Sequence, residues 1–219
     1  GAAVGTANRL DPYIGFGGGV AAEGTAKVTF SDCNFADNAA DTAGGLYAAY
    51  GTVNVVDSNL AHNTALRGGG MALVGGQITV LRTGVAYNRA MYDPNDPNSN
   101  TIVPAGGGIM VMSGNALIQD CDIRANTSNG SGGGVYLQGA NSSPAIVNCL
   151  VRGNSAGRDG GGISSNWYAT PTISNCTLFG NTASGSPGAA NKSGLGGALF
   201  AGYYSNATVI NSILWSNIG

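Results

Sequence analysis

The sequence predicts an all-β solenoid, a right-handed parallel β-helix of about seven coils. Three observations carry that expectation: a recurring glycine element, a recurring asparagine one coil apart, and a near absence of helix-forming charged residues. Charged side chains make up 9% of the 219 residues, while glycine reaches 38. Glu23 is the only glutamate, and Lys27 and Lys192 are the only lysines, so long amphipathic helices have little to be built from.

The glycine element reads Gly17-Gly18-Gly19-Val20 and Gly44-Gly45-Leu46 in the first two coils. It returns as Gly68-Gly69-Gly70-Met71, Gly106-Gly107-Gly108-Ile109 and Gly132-Gly133-Gly134-Val135, then as Gly160-Gly161-Gly162-Ile163 and Gly196-Gly197-Ala198-Leu199. A corner entered at positive φ, or one in close contact with the coil above, excludes Cβ and so selects glycine.

The second element is an apolar residue followed three positions later by asparagine, giving Asn38, Asn63, Asn88, Asn126, Asn154, Asn181 and Asn217. The first three are spaced by 25 residues, too short for a helix pair with its turns but suited to three short strands and sharp corners. These amides are expected to form an inward ladder, each bonding the equivalent amide one coil away. Between the corners the alternation is strand-like, with Val28 and Phe30, Val53 and Val55, and Ile78 and Val80 facing the core. Equivalent residues then stack roughly 4.8 Å apart in apolar columns, each member contributing about 1.5–3 kcal/mol on burial.

The four cysteines, Cys33, Cys121, Cys149 and Cys176, all stand five residues before a ladder asparagine, where the other coils hold Ser58, Thr83 and Ser212. They read as small buried core fillers. Parallel stacked side chains suit the dihedral of a disulfide poorly, so free thiols are expected. No Cys-x-x-Cys spacing suggests zinc.

Residues 17–219 form the repeats, and residues 1–16 are too short for a full coil but suit a partial coil or cap. Two coils carry longer connections, 91–105 and 184–193, both leaving between the ladder asparagine and the next glycine element, so one edge bears both loops. The first contains Asp93 and Asp96, a weak calcium candidate that lacks the glycine and closing acid of a calcium loop. Six Asn-x-Ser/Thr triplets begin at Asn126, Asn129, Asn141, Asn175, Asn191 and Asn206. Asn191, on a long loop, is the most accessible glycan acceptor, whereas Asn126 belongs to the ladder.

The net charge of -2 gives no basic face for nucleic acid, and no apolar run is long enough for a membrane-spanning helix. No cofactor is expected. Asp32, Asp57 and Asp120 share one repeat position with Arg82, the only column resembling a polysaccharide-cleaving site. It continues as Asn148, Asn175 and Asn211, as a solvent-facing stripe would, and the sole histidine, His62, has no acid-rich motif beside it. The expected function is therefore non-catalytic. Trp167, Tyr168, Tyr203 and Tyr204 follow the last two glycine elements and should cluster on one corner, as stacking groups for a sugar or anchors for a protein.

Gly196-Gly197-Ala198-Leu199 and Phe35-Ala36-Asp37-Asn38 match the paired tetrapeptides Gly-Gly-Ala-(Ile/Leu/Val) and Phe-x-x-Asn. On these the chain resembles the chlamydial polymorphic membrane proteins and related bacterial surface β-helix proteins over residues 17–219. In that family the repeats form the exported passenger of an autotransporter and mediate adhesion. The resemblance implies an extracellular or cell-surface structural or adhesive module whose partners are a surface protein or glycan. Two alternatives remain: a subunit stacking end to end on copies of itself in a fibre, since no cap follows Asn217, or a polysaccharide-binding or polysaccharide-degrading β-helix.

Overall fold

Short runs of valine, isoleucine and threonine, interrupted by glycine, asparagine or aspartate, divide the chain into strands of two to five residues. The computed structural model describes residues 15–92, 103–140, 142–185 and 194–219. Among the described residues every strand pairs in parallel with its equivalent one coil away. The result is a parallel β-helix of seven coils. No described helix is long and apolar enough to cross a membrane. The 1–16 segment, apart from Gly15 and Phe16, lies outside the described residues, as do the centres of both long loops, including Asp93, Asp96 and Asn191.

The third coil shows the plan. Met71–Val74 lies in the first sheet, Gln77–Leu81 in the second, Gly84–Ala86 in the third and Arg89–Ala90 in a fourth. Three sheets have seven strands, and the fourth has five strands of two residues each. Three strands per coil were expected from the repeat length. The fourth arises because the two residues after the ladder asparagine pair with the neighbouring coil before the glycine corner begins, as Arg89 and Ala90 do with Thr64 and Ala65.

Period-two alternation fills the interior. Leu46, Met71, Ile109, Val135 and Ile163 stack through successive strands of the first sheet, and each is fully buried. Leu60, Val85, Ile123 and Val151 form the equivalent column in the third. Removing such a column from water drives the stacking, since no coil has an interior of its own.

The corners are made by residues in the left-handed region. One column is Asp32, Asp57, Arg82, Asp120, Asn148, Asn175 and Asn211, with φ between 47° and 55°. A second, just before the ladder, is Asp37, His62, Tyr87, Ala125, Gly153, Gly180 and Ser216. A single left-handed residue reverses the pleat, and asparagine, aspartate and glycine tolerate it best. In the glycine element the reasons divide. Gly68 has φ of 63°, whereas a Cβ on Gly69 would lie 2.3 Å from the Gly107 carbonyl oxygen of the next coil. Ala43 occupies the first of these positions in the second coil with φ of 59°, so the close approach is the stricter of the two demands.

At the ladder, Asn63 Oδ1 accepts both the backbone N–H and the side-chain amide of Asn38 at 3.0 Å. Asn63 in turn donates from backbone and side chain to Asn88 Oδ1, and its Nδ2 also donates to the Phe35 carbonyl. The pattern continues through Asn126, Asn154 and Asn181 to Asn217. No buried side-chain nitrogen or oxygen among the described residues lacks a partner. Asn217 is only partly buried, since no described coil lies beyond it.

The cysteine column carries the same kind of pattern. Ser58, Thr83 and Ser212 each donate to the carbonyl two residues earlier, and the thiols of Cys33, Cys121, Cys149 and Cys176 do likewise at 3.2 to 3.3 Å. All four thiols are free. Their expected burial needs one correction. Cys33 is half-buried, because it lies in the first coil and no described coil covers its other side.

Candidate functional site

The first strand of each coil turns one set of side chains inward and the other outward, and the outward set is unusually apolar. Tyr47, Ala49, Ala72 and Met110 form a second buried cluster outside the solenoid interior, with Val74, Met112 and Tyr136 packed on it. Burial pushes the phenols of Tyr47 and Tyr136 above their ordinary value. Tyr136 donates from its hydroxyl to Gln138 Oε1 at 3.0 Å.

A cleft of about 390 Å³ lies along this outer face. Met110, Tyr136, Gln138 and Asn166 line it from the sheet, and Trp167 and Tyr203 from the corner that follows. Arg67, Ala105, Ser131, Arg158 and Asp159 line it from the corner that precedes the sheet. Those residues belong to the column that bridges Arg67 to Ala105 and Ala105 to Ser131, with the Gly132 N–H then donating to the Asp159 carbonyl. Asp159 is itself buried and accepts the Leu195 N–H at 3.0 Å.

The four aromatic residues at the opposite corner form two stacked pairs. Trp167 and Tyr203 have ring centroids 4.8 Å apart, and Tyr168 and Tyr204 5.1 Å. Coil spacing sets these distances, because each pair occupies equivalent positions in adjacent coils. All four have positive φ, between 51° and 66°, a conformation uncommon for bulky residues. The third coil turns the same corner with Gly75 and Gly76. The rings are about half exposed or more.

The acid column falls elsewhere. Asp32, Asp57, Arg82 and Asp120 stand at the corner between the second and third sheets, and none lines the cleft. Arg82 holds Asp57 in a bidentate pair at 2.7 Å, and this hydrogen bond keeps the Asp57 carboxyl below its ordinary range. His62 stacks on Tyr87 at a third corner, with centroids 5.2 Å apart. Among the described residues no group of three histidines, cysteines or acids is placed to hold a metal. Of the glycan acceptors, Asn126 is fully buried in the ladder, and Asn141 and Asn191 lie outside the described residues.

Sequence reasoning found the aromatic corner but missed the cleft beside it. Arg67 and Arg158 gave a weak signal, each standing within two residues of a glycine element. The outward row of Tyr47, Met110 and Tyr136 gave another, since apolar residues at both parities of one strand indicate a sheet covered on both faces.

Searches of curated proteins and of solved structures return no match to this chain. A family model described as the right-handed β-helix region matches residues 18–214. With parallel sheets, stacked coils and that match over nearly its whole length, the chain belongs to the right-handed β-helix family.

Proposed function

We propose that the chain is a non-catalytic, extracellular β-solenoid module that binds a surface saccharide through its aromatic corner. The observation that carries this reading is the paired stacking of Trp167 on Tyr203 and Tyr168 on Tyr204 at left-handed positions. Strained, exposed rings where another coil uses glycine are costly for the fold, and rigid aromatic faces suit sugar rings. The cleft alongside supplies hydrogen-bonding groups from Gln138 and Asn166. Asp159 is the one acid among the described residues that line it, so those residues supply no pair of carboxyls of the kind glycoside hydrolysis uses.

A glycan array probed with the purified chain tests the reading. Binding to a defined saccharide class, lost in Trp167→Ala, supports it, and silence across the array rejects it. Release of reducing ends or unsaturated products from any polysaccharide on the array would reject the non-catalytic part.

A further inference from the structure

We propose that Tyr168 and Tyr204 form a cross-linking site, at which hydrogen peroxide acting through a haem peroxidase joins the two phenols as dityrosine and ties the sixth coil to the seventh. The bond needs only the two rings and the oxidant, so it is independent of saccharide binding.

The pairing follows from the coil register. Ile163 pairs with Leu199 and Thr172 with Thr208, so the corner between them has the same length in both coils and Tyr168 stands opposite Tyr204. The two backbones turn alike, with φ of 66° and 65°, and the Tyr168 N–H donates to the Tyr203 carbonyl at 3.2 Å. The side chains therefore project in parallel, and the rings stack with centroids 5.1 Å apart and an angle of 10° between their planes. Stacking in this register brings the carbons ortho to one phenol oxygen beside those of the other ring.

The selectivity follows from what the other tyrosines meet. Tyr203 stacks on Trp167, Tyr87 on His62, and Tyr47 lies against Phe16. Among the described residues Tyr168 and Tyr204 are the one pair of tyrosines in ring contact. Tyr50, at the same corner of the second coil, is 70% exposed, but Gly75 of the next coil lies against its ring and offers no phenol. Tyr168 and Tyr204 are 53% and 79% exposed, so an oxidant reaches both and the rings have room to swing from face to edge. The turn itself does not demand them, since the third coil makes it with Gly75 and Gly76.

The chemistry balances on the two side chains and one peroxide. Each phenol gives up one electron and one proton and becomes a phenoxyl radical whose spin reaches the ortho carbons. One carbon–carbon bond forms between an ortho carbon of each ring. Each joined carbon then loses its hydrogen as a proton while its oxygen regains one, which restores both aromatic rings. Two hydrogens leave the chain in sum, and they reduce one hydrogen peroxide to two waters. Holding the rings together replaces a collision between molecules by a reaction within one.

The test treats the full chain at low concentration with hydrogen peroxide and a haem peroxidase, followed by trypsin and mass spectrometry of the monomer. Trypsin cuts after Arg158 and Lys192. The expected product is peptide 159–192 joined to 193–219, lighter by two hydrogens than the two together, in a yield that does not change on dilution. Tyr204→Phe and Tyr168→Phe each keep a stacked ring and should lower that yield about tenfold, while Tyr203→Phe and Tyr50→Phe leave it as it was. A product confined to dimers, a yield that falls on dilution, or a link that survives Tyr204→Phe or Tyr168→Phe overturns the proposal.

Discussion

Asn88 Oδ1 lies 3.0 Å from both the backbone nitrogen and the side-chain nitrogen of Asn63, so one carbonyl closes a corner in two coils at once. Asn88 also donates from Nδ2 to the Leu60 carbonyl and to Asn126 Oδ1. Asn88→Ala leaves several buried groups without partners, each costing about 1–3 kcal/mol. The expected outcome is a loss of several kcal/mol in chemical denaturation. Asn88→Asp keeps the shape but removes two donors and buries a charge, so it is expected to be less stable at pH 7 than at pH 4, where the carboxyl can be protonated. Equal stability of the Asp variant at both values would show that the ladder tolerates a charge.

Two glycines separate conformational strain from collision. Gly180 has φ of 60° and open space where a Cβ would go, while a Cβ on Gly69 meets the backbone of the adjacent coil. Gly180→Ala is expected to cost about 1 kcal/mol. Gly69→Ala must separate two coils, and its expected outcome is insoluble protein or a loss above about 3 kcal/mol. Thermal melts of the two variants side by side decide it.

The thiol of Cys149 makes the same backbone hydrogen bond as the hydroxyl of Ser58 in another coil. Cys149→Ser is therefore expected to change stability by no more than about 1.5 kcal/mol, a conservative exchange of donors. The hydrogen bond to the Cys121 sulfur, with burial added, pushes the Cys149 thiol up to about 12. A raised folded value favours the neutral thiol, so its contribution is complete below the unfolded value, about 8.5, and is lost as pH rises towards 12. Alkylation of the native protein at pH 8 followed by mass spectrometry should modify half-buried Cys33 and spare Cys149 until denaturant is added.

Trp167 tests whether the aromatic corner serves the fold or a ligand. Trp167→Gly relieves a left-handed residue, worth about 1–2 kcal/mol, and forfeits a stacked pair, worth about 0.5–1.5 kcal/mol. The two nearly cancel, so the melting temperature should hold while saccharide binding disappears. A large fall in stability would make the corner structural.

Much of the solenoid was legible in the sequence because its determinants are local and repeated. A glycine recurs where a Cβ would strike the next coil, an asparagine where an amide ladder can be satisfied, and an apolar residue at every second position of a strand. The register follows from these, since a slip of one residue would bury the polar row and expose the apolar one. The fourth sheet was less legible, because two-residue strands such as Arg89–Ala90 carry no period to read.

What the sequence determined by itself was the coil, its seven repeats and the residues that stack within each column. What only the tertiary structure decided was which columns face one another across the outer surface. Arg67 and Trp167 are 100 residues apart and belong to different corners of different coils. Periodicity relates equivalent positions along the axis, but a cleft joins positions that are not equivalent. That meeting depends on the angles between sheets and on the small residues Ala105 and Ser131 that leave the space open.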